Sequence, residues 1–205
     1  MFRSILVPLD GSELAEQALP LALSIARRAG AELTLLQVVP LPSEPLAIDG
    51  AVLSVDEQLD MLQENARVYL RDIVRNLPSV HTTGPDGLTI RRDVSVGPVA
   101  QAITDYATGI QADLIVMATH GRSGFTRWAL GSVTDQVLQM ARVPMIVVRP
   151  QTIAPVSFDP LPTLDRIMIT LDGSELAAAV LPTATQLARL FDSQLLLFRA
   201  ALLPA

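Results

Sequence analysis

The chain alternates between two hydrophobic periods. "SILVPLD" (Ser4 to Asp10) is a short apolar run that ends in turn chemistry, which predicts a buried strand. Gly11-Ser12 follows, and Ser12 is placed to cap a helix by accepting from a free backbone N–H. Apolar residues then recur at Leu14, Ala18, Leu21, Ala22, Ile25, Ala26 and Ala29, which is helical spacing, and Gly30 ends the run. Pro20 lies inside that helix. It is expected to kink it or loosen one turn, because it lacks an N–H and crowds the carbonyl four residues back. "AELTLLQVV" (Ala31 to Val39) reads as the next strand, completing a βαβ unit with Val38 at the strand end.

The pattern continues in the same manner. Pro40 to Ala51 reads as a proline-rich loop, and Val55 to Leu77 as a long amphipathic helix. Leu88 to Val96 reads as a strand, and Pro98 stands in the first turn of the helix after it. Asp113 to Ala118 is a buried strand, Ser132 to Arg142 a helix and Pro144 to Arg149 a last strand. Five strands alternating with four helices, the strands apolar on both faces, predict an α/β fold with a parallel sheet covered on both sides.

"QTIAPVSFDPLPTL" (Gln151 to Leu164) holds three prolines and reads as a linker. Then the beginning returns. "ILVPLDGSELAEQALPLALSIAR" from Ile5 aligns without gaps on "IMITLDGSELAAAVLPTATQLAR" from Ile167, a constant offset of 162 residues. The gapless match is an internal duplication. The expected domains are residues 1–150, a linker at 151–164, and a partial second βαβ repeat at 165–205. A lone βαβ unit leaves strand edges and an apolar face uncovered, so a truncated chain or one completed by another chain is expected.

Composition narrows the chemistry. The chain has 205 residues, half of them apolar, a net charge of −6 and a pI near 4.8, which argues against a general nucleic-acid binder. No apolar stretch is long enough to span a bilayer and no signal peptide is visible, so a cytoplasmic protein is expected. There is no cysteine, which excludes disulfides and thiolate metal sites. All fifteen basic residues are arginine. Without lysine, neither a P-loop nor a Schiff-base enzyme is possible.

The chemistry concentrates in "MATHGRSGFTRWALGS" (Met117 to Ser132), which leaves the buried strand through glycine and positive charge. In an open α/β sheet, ligands bind outside the carboxyl ends of the strands. "PLDGS" and "MATHGRSG" both leave such ends. Gly121 and Gly124 would let backbone approach a phosphate, and Gly131-Ser132 starts a helix whose free N–H groups favour an anion. His120, Arg122 and Arg127 make the neighbourhood positive. Asp10 can accept from a ribose hydroxyl or a base amino group, and Val38 offers an apolar wall. Each feature also has a plain reading: the glycines as an ordinary turn, Gly-Ser as capping, Asp10 as a turn residue, Arg127 and Trp128 as a solvated helix face or interface. His81 reads as exposed, and Asp56, Glu57 and Asp60 as an acidic helix start. Two histidines without cysteine make no metal cluster.

"ILVPLDGSELAEQAL", "ADLIVMATHGRSG" and "GSVTDQVLQMARVPMIVVR" together resemble the universal stress protein family. The resemblance covers residues 1–150, with 164–205 as part of a second copy, in the manner of tandem members. It implies a Rossmann-like doubly wound five-stranded parallel sheet in the order 3-2-1-4-5. In the family's nucleotide-binding branch the motif is glycine, two residues, glycine, nine residues, then Gly-Ser or Gly-Thr. Here the second glycine is Gly121 and the pair is Gly131-Ser132, but the first position is Ala118, whose methyl group narrows the cradle. By the same resemblance Asp10 contacts the nucleotide with Pro8 and Leu9 beside it, and Val38 touches adenine. Met117, Ala118, His120, Gly121, Arg122, Gly124, Gly131, Ser132, Val133 and Thr134 complete the binding set. The implied ligand is ATP or another adenine nucleotide, with or without Mg. The implied assembly is a homodimer through the edge strand Pro144 to Arg149. The expected role is a nucleotide-responsive regulator of the stress response with no catalytic residue. The alternatives are a nucleotide-independent dimeric scaffold and a slow ATPase. The second copy has Asp172 but no glycine loop, so its own residues cannot complete a site.

Overall fold

The computed structural model describes residues 2–48, 51–77, 88–119, 131–149 and 156–199. In chain order the elements are β1 (Ser4–Leu9), α1 (Glu13–Glu16), α2 (Leu19–Ala29), β2 (Glu32–Val39), β3 (Leu46–Ile48), β4 (Ala51–Leu53), α3 (Val55–Asn76), β5 (Ile90–Val96), α4 (Val99–Gly109), β6 (Leu114–Ala118), α5 (Ser132–Met140) and β7 (Met145–Val148). Then come β8 (Arg166–Leu171), α6 (Glu175–Ala178), α7 (Leu181–Phe191) and β9 (Gln194–Arg199). Residues Phe2–Leu161 and Pro162–Ala205 form two compact units.

In the first unit the strand order is β5-β2-β1-β6-β7, all parallel. This is the doubly wound order expected, with the chain reversing direction across the sheet between β1 and β6. Ile5, Leu6, Leu33, Leu35, Leu36, Leu114 and Ile115 are almost wholly buried, as central strands covered on both faces must be. The amino ends of β1 and β6 are clamped together: Asp113 Oδ2 accepts from the backbone N–H groups of Arg3 at 2.6 Å and Ser4 at 3.1 Å. Their ladder pairs Ile5 with Leu114 and Leu6 with Ile115, whereas β1 pairs with β2 along all six of its residues.

Several elements differ from the sequence pattern. The first helix is not kinked at Pro20 but divided. α1 stops at Glu16, and α2 restarts at Leu19 with Pro20 in its first turn, where a missing N–H costs nothing. Bonds that span three residues instead of four bridge the break, from Gln17 N–H to the Leu14 carbonyl and from Ala18 N–H to the Ala15 carbonyl. The second copy divides at the same place, between α6 and α7. The supposed loop Pro40 to Ala51 contains β3, which pairs with β4 in a small antiparallel sheet. Its apolar residues were too few to stand out among the prolines. β5 is an edge strand, "IRRDVSV", and its arginines are exposed, so not every strand is apolar on both faces.

α3 owes its start to a capping box. Ser54 Oγ accepts from Glu57 N–H at 3.2 Å, and Glu57 Oε2 accepts from Ser54 N–H at 2.8 Å. The Tyr69 hydroxyl donates to Glu16 Oε1 at 3.0 Å, tying α3 to α1. Burial raises the Glu16 carboxyl above its usual range against the lowering effect of that bond, with Glu13 and Asp10 adding to the rise. On the other face the Tyr106 hydroxyl donates to Asp93 Oδ2 at 2.8 Å, tying α4 to β5. Burial and that carboxylate push Tyr106 up to about 12.

In the second unit β8 and β9 pair in parallel, and Ala184, Ala188 and Phe191 of α7 are buried against Ile169. Met168, Leu196 and Phe198 share the opposite face and are exposed. The Asp172 turn repeats that of Asp10: Ser174 N–H donates to Asp172 Oδ1 at 2.8 Å, and Gly173 has φ +94°. Arg199 lies over it, and a Cβ built on Gly173 would stand 2.6 Å from Arg199 Nη2.

Ser54→Ala removes the α3 cap and is expected to destabilise the protein by about 1 kcal/mol in urea unfolding. Glu16 gives a pH-dependent effect. Its folded pKa lies above the unfolded one, so folding favours the neutral form, and the ionised form is penalised above the folded pKa. Glu16→Gln is therefore expected to stabilise the protein at neutral pH. That gain shrinks as the pH falls through the raised pKa, which unfolding midpoints at about pH 7 and about pH 4 will show.

Candidate functional site

β1 leaves the sheet through Leu9-Asp10-Gly11-Ser12. Gly11 adopts φ +86°, a left-handed turn that glycine makes without strain. The turn is closed by Asp10, whose Oδ1 accepts from Ser12 N–H at 3.0 Å and from Ser12 Oγ at 2.6 Å. Ser12 Oγ in turn accepts from Ala15 N–H at 3.2 Å and caps α1. One acid thus serves as a turn former and places a half-buried carboxylate at the carboxyl rim of the sheet.

β6 leaves the same rim through Ala118 and Thr119. The chain returns at Gly131, the N-cap of α5, whose N–H donates to the Thr119 carbonyl at 2.8 Å. Buried Thr134 donates its hydroxyl to the Ala118 carbonyl at 3.0 Å, so the first turn of α5 is tied down to the end of β6. Gly131 brings no side-chain cap, and the N–H groups of Ser132, Val133 and Thr134 lie in the first turn, where no intrahelical carbonyl reaches. These amides, with the positive end of the helix dipole, favour an anion.

The two turns face one cavity of about 630 Å3. Pro8, Leu9, Asp10, Val38, Met117, Ala118, Gly131, Ser132, Val133 and Thr134 all line it. His120, Gly121, Arg122 and Gly124 lie outside the described residues, as do His81, Arg127 and Trp128. Ala118 forms part of the wall of a cavity whose volume is in the range of small-molecule sites. Among the described residues no group of three histidine or acidic side chains is placed to hold a metal.

The pattern of the sequence did not disclose the other walls. Val99 and Ile103 of α4 close the cavity on one face of the sheet; Asn65, Ala66 and Tyr69 of α3 close it on the other. Those positions look like ordinary amphipathic helix residues, and only the tertiary arrangement assigns them to a site. Gln37 also lines the cavity. Its signal was present, a lone amide in the apolar run "LTLLQVV".

The cavity is polarised. An acid stands at the end of β1, open amides stand at the start of α5, and Val38, Val99, Ile103 and Met117 supply apolar surface between and beside them. That arrangement accommodates a flat apolar body carrying hydrogen-bond donors at one end and negative charge at the other.

Comparison with known proteins agrees with this architecture. The profile of the Universal stress protein family matches residues 1–149. Universal stress protein MJ0531 of Methanocaldococcus jannaschii is 30% identical over 150 residues, covering 73% of this chain and 83% of its own. The structure of universal stress protein UspA from Lactobacillus plantarum is 33% identical with a TM-score of 0.60, covering 72% of this chain and 98% of its own. A universal stress protein from Archaeoglobus fulgidus shares the fold over 96% of this chain at a TM-score of 0.68 and 20% identity; 65% of its own length is matched. With its sheet order, its rim cavity and this match over residues 1–149, the chain belongs to the universal stress protein family.

Proposed function

We propose that this protein binds an adenine nucleotide, ATP or a relative of it, in the rim cavity and serves as a nucleotide-responsive regulator in a cytoplasmic stress response. The observation that carries the reading is the convergence of Asp10 with the uncapped first turn of α5 on one apolar-walled cavity. In this reading the phosphates meet the N–H groups of Ser132, Val133 and Thr134 and the Ser132 hydroxyl. Asp10 accepts from the ribose, and the base lies against Val38. A magnesium ion travelling with the nucleotide is carried by its phosphates and water. His120, Gly121, Arg122 and Gly124 are the further phosphate-side candidates. In this reading the role is binding rather than turnover.

A second reading, that of a scaffold, draws on β7. It is the terminal strand of the sheet, and its four apolar residues are only half-buried. We assign it to a homodimer interface, which is compatible with nucleotide binding and does not require it.

Calorimetric titration with ATP and AMP is expected to give saturable heat; no heat and no thermal shift at millimolar nucleotide would end the reading. Gly131→Asp offers a good N-cap, so α5 is retained, but it fills the amides with a fixed negative charge. It is expected to weaken ATP at least about tenfold while leaving the circular dichroism spectrum unchanged. For the interface, light scattering is expected to report twice the chain mass for the wild type and a single chain for Ile146→Arg. A wild-type monomer would refute the dimer.

A further inference from the structure

Among the described residues, one buried side-chain oxygen or nitrogen has no hydrogen-bond partner: Oε1 of Gln37. The residue is 9% exposed and borders the cavity. Native proteins rarely leave a buried acceptor unmatched, and an exception at a site asks for a ligand.

Its position says which part of a ligand. Gln37 is paired with Leu9 in the β1–β2 ladder, beside the Asp10 turn. Along the rim the strand order β2-β1-β6 sets three stations in line. The amides of α5 stand beyond β6, Asp10 at the end of β1, and Val38 with Gln37 at the end of β2. A nucleotide whose phosphates meet α5 and whose ribose meets Asp10 therefore brings its base to β2. Neighbouring strand residues face opposite sides of the sheet, so Val38 offers the base an apolar surface while the Gln37 amide stands on the α3 side. The Gln37 oxygen is buried from water. The terminal torsion of glutamine is soft and broad, and a half-turn about it exchanges the positions of Oε1 and Nε2 at the border of the cavity.

We propose that Gln37 is a specificity-determining residue that reads the exocyclic amino group of the base: its amide turns when the nucleotide enters, and Oε1 accepts an amino N–H. The inference rests on the nucleotide reading of the cavity. It concerns a residue whose side chain the repeat replaces, since the equivalent position of the second copy, 162 residues on, is Arg199. A 6-oxo purine is a poor probe of this role. The same amide, turned the other way, donates from Nε2 to a carbonyl. The informative probe is purine riboside triphosphate, which lacks the amino group and puts nothing in its place.

Calorimetric titration of the full chain with ATP and with purine riboside triphosphate is the test. The wild type is expected to bind ATP at least about tenfold more tightly. In Gln37→Leu and in the unbranched Gln37→Met, ATP is expected to weaken while the analogue does not, bringing the ratio to within about twofold of unity. Equal affinity of the wild type for both nucleotides overturns the proposal and needs no variant to fold. So does a ratio that survives in either variant. If the wild type binds neither nucleotide, the nucleotide reading itself falls and takes this role with it. Binding without discrimination removes only the role of Gln37.

Discussion

The pairing of β1 with β6 is the constraint on which the rest of the structure depends. The chain runs outward from β1 to β2 and β5, then crosses to place β6 and β7 on the other side. At their amino ends β1 and β6 are held by the Asp113 carboxylate on two backbone N–H groups. Toward their carboxyl ends the ladder between them extends no further than Leu6 and Ile115. The turns that follow, one from Leu9 and one from Ala118, leave on opposite courses to helices on opposite faces. A crevice at this point is thus a product of topology. Its contents depend on a small number of side chains, which is why one fold can hold or refuse a ligand with little change to its core.

The polarity of the cavity has an equally simple origin. In a parallel sheet, the rim where strands end is also the rim where the following helices begin. Open N–H groups therefore collect there without any charged side chain. The chain adds Asp10 on one side and leaves α5 without a side-chain cap on the other. Thr134 prevents the helix start from relaxing away, because its buried hydroxyl bonds the carbonyl of the strand that precedes it. The open start of α5 is thereby preorganised by contacts among short uncharged groups.

Much of this was legible in the chain because burial on both faces forces near-continuous apolar runs. β1, β2 and β6 announce themselves, and Ser12, Gly30 and Gly131-Ser132 mark helix ends by known local chemistry. Where burial is partial, the pattern is thinner. β5 carries arginines, and β3 and β4 have three residues each, too few for a period to declare itself. Pro20 was visible as a disturbance, but whether a proline bends a helix or divides it depends on whether the restarted turn can pack. The packing of Leu19, Ala22 and Leu23 into the core decided that. Ten of the fourteen site residues expected from sequence fall on one cavity because two motifs at strand ends converge by topology. The walls from α3 and α4 were hidden because helices contribute through shape, which has no local signature.

The duplicated turn shows what such a rim becomes when it closes on itself. In the second copy the acid, the left-handed glycine and the capping serine are all retained, yet Arg199 stands where Gln37 stands in the first. Its guanidinium folds across Gly173, and its charge helps to hold the Asp172 carboxyl below the usual carboxylate range, after the bonds from Ser174. The later repeat carries its own counter-ion on the strand that pairs with the one leading into the turn. Divergence at one strand position thus changes what accompanies an otherwise repeated turn: an arginine that draws down the acid in the second copy, an uncharged amide at the same position in the first.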